Sequence, residues 1–251
     1  MRSDARIEPR YLRPFTEHKF WYTAPIMHGR NFSESIDVCI GIDLAGVERR
    51  ETGIALLHGG RLVLLASAGT DEEILAFVAQ AGPDATVAIN APLTRPRGRC
   101  CLEDDCPCRH DPGTRSRQLE RDLLHMGVPI LATGLINVLA RRGARLAEAL
   151  RQGGREPLEV YPYATLRLLG LPTKGKRTRP GRRCIHDALQ PLIPGLDHPD
   201  ASEHQLDAVV CAYTAHLWRQ GCARTVGVPD EGVMVIPAAP PTEDRASSAT
   251  S

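Results

Sequence analysis

Between residues 36 and 237 the apolar positions follow two periods. DVCIGIDLA, TGIALLH and RLVLLAS are apolar runs of strand length bounded by turn residues; they predict three strands, the last two joined as a hairpin at Gly59 and Gly60. DEEILAFVAQAG predicts a short amphipathic helix closed by Gly82. ATVAINAPL is apolar and uninterrupted, as a parallel strand covered on both faces should be. A loop rich in Pro, Cys and Arg follows, then helical stretches over about 115–126 and 135–152. EPLEVYPYA predicts a fifth strand ending at Pro162. A Pro/Gly/Arg-rich connection and a short helix near Ile185 to Leu192 lead to SEHQLDAVVCAYTAHLWRQG, where Leu206, Val209, Val210, Tyr213 and Leu217 share one helical face. The order β-β-β-α-β-α-β-α predicts an α/β domain with a mixed sheet whose first three strands are antiparallel.

The two ends depart from this pattern. Residues 1–35 carry six of the eleven aromatics without a period, among Arg, His and Pro, and predict a poorly ordered arm. Residues 238–251 have the composition of a disordered tail. The 251 residues, 42% hydrophobic, suffice for one sizeable core over 36–237. A net charge of +1 gives the molecule no overall field that selects a partner, so any electrostatic preference must be local. Of the 31 basic residues 28 are arginine, which fits bidentate phosphate binding as well as a GC-rich coding bias. No apolar run approaches the roughly 20 residues of a membrane span, and the start lacks the apolar core of a signal peptide; a soluble, cytoplasmic protein is expected. On that expectation the eight cysteines are thiols and potential metal ligands rather than a disulfide framework, with Cys39, Cys211 and Cys222 as core residues.

Acids stand where a burial-driven pattern would place more apolar residues. Asp43 ends the first strand, Glu159 lies in the fifth, and Asp207 sits beside the apolar face of the late helix with Glu203 one turn earlier; Asn90 ends the fourth strand. Ends of neighbouring parallel strands lie within about 5 Å, so polar side chains there converge on one cleft. Converging carboxylates repel unless a divalent cation takes their oxygens, the arrangement that two-metal phosphoryl transfer requires. Taken singly, each has a plainer alternative: Asp43 as a turn or cap residue, Glu159 as an arginine's partner, Asp207 as a solvent-facing helix residue.

GIDLAG, VAINAPL, EVYPYATLRLLGLP, LDAVVCAYTA and EGVMVIP, in this order, resemble the domain-of-unknown-function family 429, whose members are predicted nucleases; the resemblance spans residues 36 to 237. It implies an RNase H-like fold, a five-stranded mixed sheet flanked by helices, with Asp43, Glu159 and Asp207 as catalytic metal ligands for Mg²⁺ or Mn²⁺. The family pattern carries aspartate where this chain has Asn90, a weaker ligand for a hard cation, for which Glu203 or Glu159 could compensate. The implied activity is hydrolysis of nucleic-acid phosphodiester bonds. Two alternatives stay open: a catalytically silent nucleic-acid-binding or scaffold protein, and an ATP-binding member of the sugar-kinase/Hsp70 group, which GIDLAG also resembles but whose second glycine-rich loop is missing from NAPLTRPRG.

Two loops add local chemistry. The basic loop 173–183 holds Lys174, Lys176, Arg177, Arg179, Arg182 and Arg183 with no acid, either a phosphate-binding surface or a solvated loop. The Cys-rich loop 98–112 places Cys101, Cys106, Cys108 and His110, beside Cys100, at a spacing that could close a zinc site or leave surface thiols. No groove-reading helix or RNA-stacking motif distinguishes DNA from RNA, and oligomeric state leaves no mark in the sequence.

Overall fold

A computed structural model describes residues 37–111 and 113–238. The arm expected over 1–35 and the tail expected over 238–251, past its first residue, lie outside the described residues. All described residues belong to the unit Ser35–Ser251.

The elements run β1 (Val38–Asp43), β2 (Thr52–His58), β3 (Arg61–Ala68), α1 (Asp71–Gln80), β4 (Thr86–Ile89), α2 (Gln118–His125), α3 (Asn137–Gln152), β5 (Leu158–Val160), α4 (Pro162–Leu168), α5 (Arg179–Leu189), α6 (Glu203–Arg219), β6 (Ala223–Val228) and β7 (Gly232–Pro237). The strands form one sheet in the order β3-β2-β1-β4-β5-β7-β6. β1, β2 and β3 are antiparallel neighbours, while β4 and β5 continue parallel to β1. That order and those directions are the RNase H-like arrangement. The sheet has seven strands rather than the expected five, because β7 adds parallel to β5 and β6 pairs antiparallel with β7. EPLEVYPYA is strand only to Val160; Pro162 opens α4, at a position where its missing N–H costs nothing.

Strand alternation divides the core. Cys39, Ala55, Leu57, Ala88, Val160 and Val235 face α6, which is covered on its far side by α5 and the following Ile193 and Leu196. Ile40, Ile42, Ile54, Val87 and Ile89 face α1 and α3. α6 is therefore apolar around most of its circumference, wider than the single expected stripe. Among the described residues no helix is long and apolar enough to cross a membrane.

Two glycines set how closely α6 approaches. A Cβ on Gly41 would lie 2.0 Å from the Ala208 carbonyl oxygen and 2.3 Å from the Ala212 nitrogen, and one on Gly53 would lie 2.1 Å from the His204 carbonyl oxygen. The helix backbone thus rests directly on β1 and β2. The side chains of its first two turns are thereby delivered to the carboxyl end of β1.

Candidate active site

With period two, Asp43 shares the α6 face with Cys39 and Gly41, and Asn90 shares it with Ala88. The Asn90 N–H donates to the Ile42 carbonyl (2.8 Å), extending the β1–β4 ladder by one residue and placing the amide over Asp43. Asn90 Nδ2 donates to Asp43 Oδ1 at 2.6 Å. α6 starts at a capping box in which Ser202 and Gln205 satisfy each other's backbone N–H groups, so the first turn has a fixed direction. From that turn His204 donates through Nδ1 to Asp43 Oδ2 at 2.6 Å. One turn later lies Asp207, whose two oxygens receive the Lys176 ammonium at 2.8 and 2.6 Å.

Asp43, Asn90 and His204 form one hydrogen-bonded group, and the Lys176–Asp207 pair lies one helical turn further along α6. Asp43 and Asp207 are buried, and their charges act on each other. Burial, opposed by Lys176 and reinforced by the charge of Asp43, pushes Asp207 up to about 7. The hydrogen bond to Asp43 raises His204 above the ordinary imidazole value despite partial burial. Glu203, half-buried on the same turn as His204, adds negative charge near both. His204 and Lys176 were not expected here: the histidine stands one turn from Asp207, and the lysine belongs to the stretch assigned to phosphates.

Glu159 points elsewhere. Leu158 and Val160 pack on the α6 side, so Glu159 lies on the opposite face, in register with Ile89. Arg117 grips it with Nη1 on Oε2 (2.7 Å) and Nη2 on Oε1 (2.5 Å), and the Leu93 N–H donates to Oε2 at 2.8 Å. Arg117 is itself buried and also holds Glu120, which accepts from the Thr133 backbone and hydroxyl. Among the described residues no hydrogen bond joins Glu159 to Asp43, Asn90 or Asp207. The plainer alternative, an arginine's partner, describes its surroundings.

The basic stretch is only partly a loop, because α5 begins at Arg179 behind the Thr178 cap. Besides Lys176, Arg182 donates to the Lys176 carbonyl (3.3 Å), and exposed ion pairs join Arg179 to Asp200 and Arg183 to Asp187. Lys174 and Arg177 are exposed and make no side-chain hydrogen bond or ion pair among the described residues.

In the Cys-rich loop, ligand atoms of Cys100, Cys101, Cys106 and Cys108 all lie within 4.8 Å of one another, an arrangement that could hold a metal ion. His110 is not in the group: the 3-10 turn Pro107–His110 carries it to the surface, and adjacent Cys100 takes the fourth place. The backbone of Cys101 and the neighbouring thiols hold Cys108 down to about 6. A second group, Asp37, Cys39 and His216, is already closed by a cation, since Arg219 Nε sits 2.9 Å from Asp37 Oδ1. Cys39 and Cys211 are buried as expected, but Cys222 is exposed.

A family described as "Protein of unknown function (DUF429)" matches residues 105–231, a span that holds Glu159, Lys176, His204 and Asp207 but begins after Asp43 and Asn90. The structure of T. thermophilus RuvC in complex with Holliday junction substrate resembles this one with a TM-score of 0.41 at 15% identity, over 73% of this chain and 96% of that one. Among curated proteins none matches the chain.

Proposed function

We propose, on the premise that this chain belongs to the DUF429 family, that its RNase H-like domain hydrolyses nucleic-acid phosphodiester bonds with the help of Mg²⁺ or Mn²⁺. The observation that carries this is the meeting of two buried carboxylates, Asp43 and Asp207, at the carboxyl end of β1 under the first turns of α6.

The donor set fits a hard divalent cation. Two carboxylates and the Asn90 amide oxygen are oxygen ligands, and a cation between Asp43 and Asp207 relieves the repulsion that, with burial, raises Asp207. The present partners are displaceable. Lys176 is a point charge on a flexible stem, its side chain 17% exposed, and can withdraw toward solvent. Glu51 and Glu203 are further carboxylates whose charge reaches His204, so a second cation would depend on them rather than on Glu159.

A divalent cation held there would polarise the phosphodiester and lower the pKa of the attacking water. The chain's own groups do the rest. Asn90 and His204 fix the plane of the Asp43 carboxylate from its two oxygens. With Nδ1 committed to Asp43, His204 keeps Nε2 for the substrate, and the carboxylate stabilises its imidazolium, which can protonate the departing oxygen. Lys176, released from Asp207, becomes a cation for a neighbouring phosphate, and exposed Lys174 and Arg177 extend that surface.

A catalytically silent nucleic-acid-binding protein is the second reading, favoured by the Lys176–Asp207 pair and the Asn90–Asp43 bond, which satisfy the carboxylates without a metal. The ATP-binding alternative finds no phosphate loop after β4, where α3 packs at Gly143 against the Pro92 carbonyl.

The test is cleavage of a panel of labelled DNAs and RNAs in Mn²⁺, Mg²⁺ and EDTA. Metal-dependent cleavage is expected, and Asp43→Asn or Asp207→Asn should reduce it by about 100-fold or more while the protein stays folded. Binding that persists in EDTA, with no cleavage in either metal, would establish the silent alternative.

A further inference from the structure

The span from Arg97 to Gln118 has almost no core of its own; among the described residues of 98–116 Leu102 is the one buried apolar side chain. Its two ends are pinned by a single buried carboxylate, Glu231 in the β6–β7 turn, which accepts the Arg97 N–H on Oε1 and the Gln118 N–H on Oε2, both at 2.7 Å. Beyond these pins the loop is irregular apart from the 3-10 turn. Apolar burial does not offset the ordering of such a span, so another interaction is needed to hold its middle.

The four sulfurs supply one. Cys100 Sγ lies 3.4 Å from Cys106 Sγ and 3.9 Å from Cys101 Sγ, and all four sulfurs fall within 4.8 Å of one another. Thiolates around a tetrahedral zinc, with Zn–S bonds near 2.3 Å, stand about 3.8 Å apart. A disulfide would need about 2.05 Å, and all four cysteines are free thiols. Soft sulfur donors without carboxylates select zinc over Mg²⁺ or Mn²⁺, so the oxygen site at β1 and this one do not compete for a metal.

The groups around the sulfurs have the form of an outer shell. Arg99 is buried and donates from Nε to the Cys101 carbonyl (2.9 Å) and from Nη2 to the Glu103 carbonyl (3.2 Å), bringing a positive charge beside a cluster that four thiolates would leave negative. Thr114 donates to the Cys108 carbonyl at 3.0 Å, tying the last ligand to the returning strand of the loop. Asp104 is held by Asn137 Nδ2 (2.6 Å) and Arg141, both from α3.

We infer that Cys100, Cys101, Cys106 and Cys108 form a structural tetrathiolate zinc site that replaces a hydrophobic core for the middle of the 97–118 loop. The consequence is local. Metal removal frees the loop between its Glu231 pins and leaves the sheet intact.

The protein, purified without chelator, should carry about one equivalent of zinc by elemental analysis. Replacement with Co²⁺ should give the thiolate-to-cobalt charge-transfer and intense d–d bands of a tetrahedral sulfur site. Cys100→Ser and Cys106→Ser should each lower zinc affinity by at least about 10–100-fold in competition with a chromophoric chelator, whereas His110→Ala should leave it unchanged. Chelation of the wild-type protein should open 98–112 to limited proteolysis without altering the far-ultraviolet spectrum, a readout that survives if a cysteine variant fails to fold. Absence of zinc together with failure to bind added Zn²⁺ or Co²⁺ would overturn the assignment. So would zinc lost in His110→Ala but kept in Cys100→Ser, or a Cys100–Cys106 disulfide in the intact mass of freshly purified protein.

Discussion

Asp43 and Glu159 are both buried acids on strands of one sheet, yet their surroundings are opposite in kind. Glu159 is gripped at both oxygens by Arg117, whose side chain is 1% exposed and which braces a second buried acid, Glu120. A guanidinium matches a carboxylate as a planar fork, and nothing in that arrangement leaves an oxygen for a newcomer. Asp43 is held by an amide and an imidazole, and its neighbour Asp207 by a lysine on a flexible stem. The lysine can withdraw, and each Asp43 oxygen accepts one of these hydrogen bonds and so keeps a lone pair for a cation. Under the proposed function, the permanent ion pair gives Glu159 to the fold, and the lighter hold leaves Asp43 and Asp207 to a cation.

The largest effect should come from breaking the permanent pair. Arg117→Ala leaves Glu159 and Glu120 buried without their counter-charge and should cost about 3–5 kcal/mol in urea denaturation. Asp43→Asn removes one of two like charges and should leave metal-free stability unchanged or slightly higher. If Arg117→Ala costs less than about 1 kcal/mol, or Asp43→Asn costs as much as Arg117→Ala, the distinction between the two acids collapses.

The same pair shows what could be read in the sequence. Asp43 and Asn90 were legible as polar residues closing apolar strands, and Asp207 as an acid beside the apolar face of a helix. Glu159 interrupts one too, but strand-end proximity alone ignores the face: its neighbours Leu158 and Val160 pack toward α6, and period two turns Glu159 away. Its partner Arg117 lies 42 residues distant, a pairing no local pattern announces. His204 was hidden as a lone histidine near a helix start, and Lys176 within a run of basic residues. His110 fitted the ligand spacing better than Cys100, until a 3-10 turn moved it outward. β6, ARTVGV, has few apolar residues, while β7, GVMVIP, is an apolar run of strand length that the sequence reading used only as a motif.

A middle-sized effect should follow from lifting α6. The comparison depends on Gly41, since only direct contact between β1 and the helix brings His204 and Asp207 to Asp43. Gly41→Ala places a methyl against the Ala208 carbonyl and the Ala212 nitrogen, backbone atoms that cannot yield without moving the helix. A cost of about 1–3 kcal/mol is expected, with Mn²⁺ binding weakened as the carboxylates separate. Gly46→Ala is the control: its Cβ would find nothing closer than 3.9 Å, and both properties should hold. Equal behaviour of the two variants in calorimetric Mn²⁺ titration would show that the close approach does not set the site.

The smallest effect is a pH dependence confined to the replaceable side. Burial, with the charge of Asp43, lifts Asp207 from 3.8 to about 7 against the pull of Lys176. Between those two values the folded protein holds this proton more tightly than the unfolded chain does. The resulting stability is complete below pH 3.8 and is lost as pH rises through about 7. Asp207→Asn has no such proton, so the melting temperature of the metal-free wild type should fall relative to the variant as pH rises from 5 to about 8. The gap should reach at least about 2–4 °C, the shift that each kcal/mol produces in a chain of this size. Mn²⁺ requires the ionised carboxylate, so it should restore the wild-type melting temperature near pH 8, do little near pH 5, and leave the variant unmoved at both. Parallel pH curves for the two proteins, or equal stabilisation of both by Mn²⁺, would mean that Asp207 keeps its lysine as firmly as Glu159 keeps its arginine.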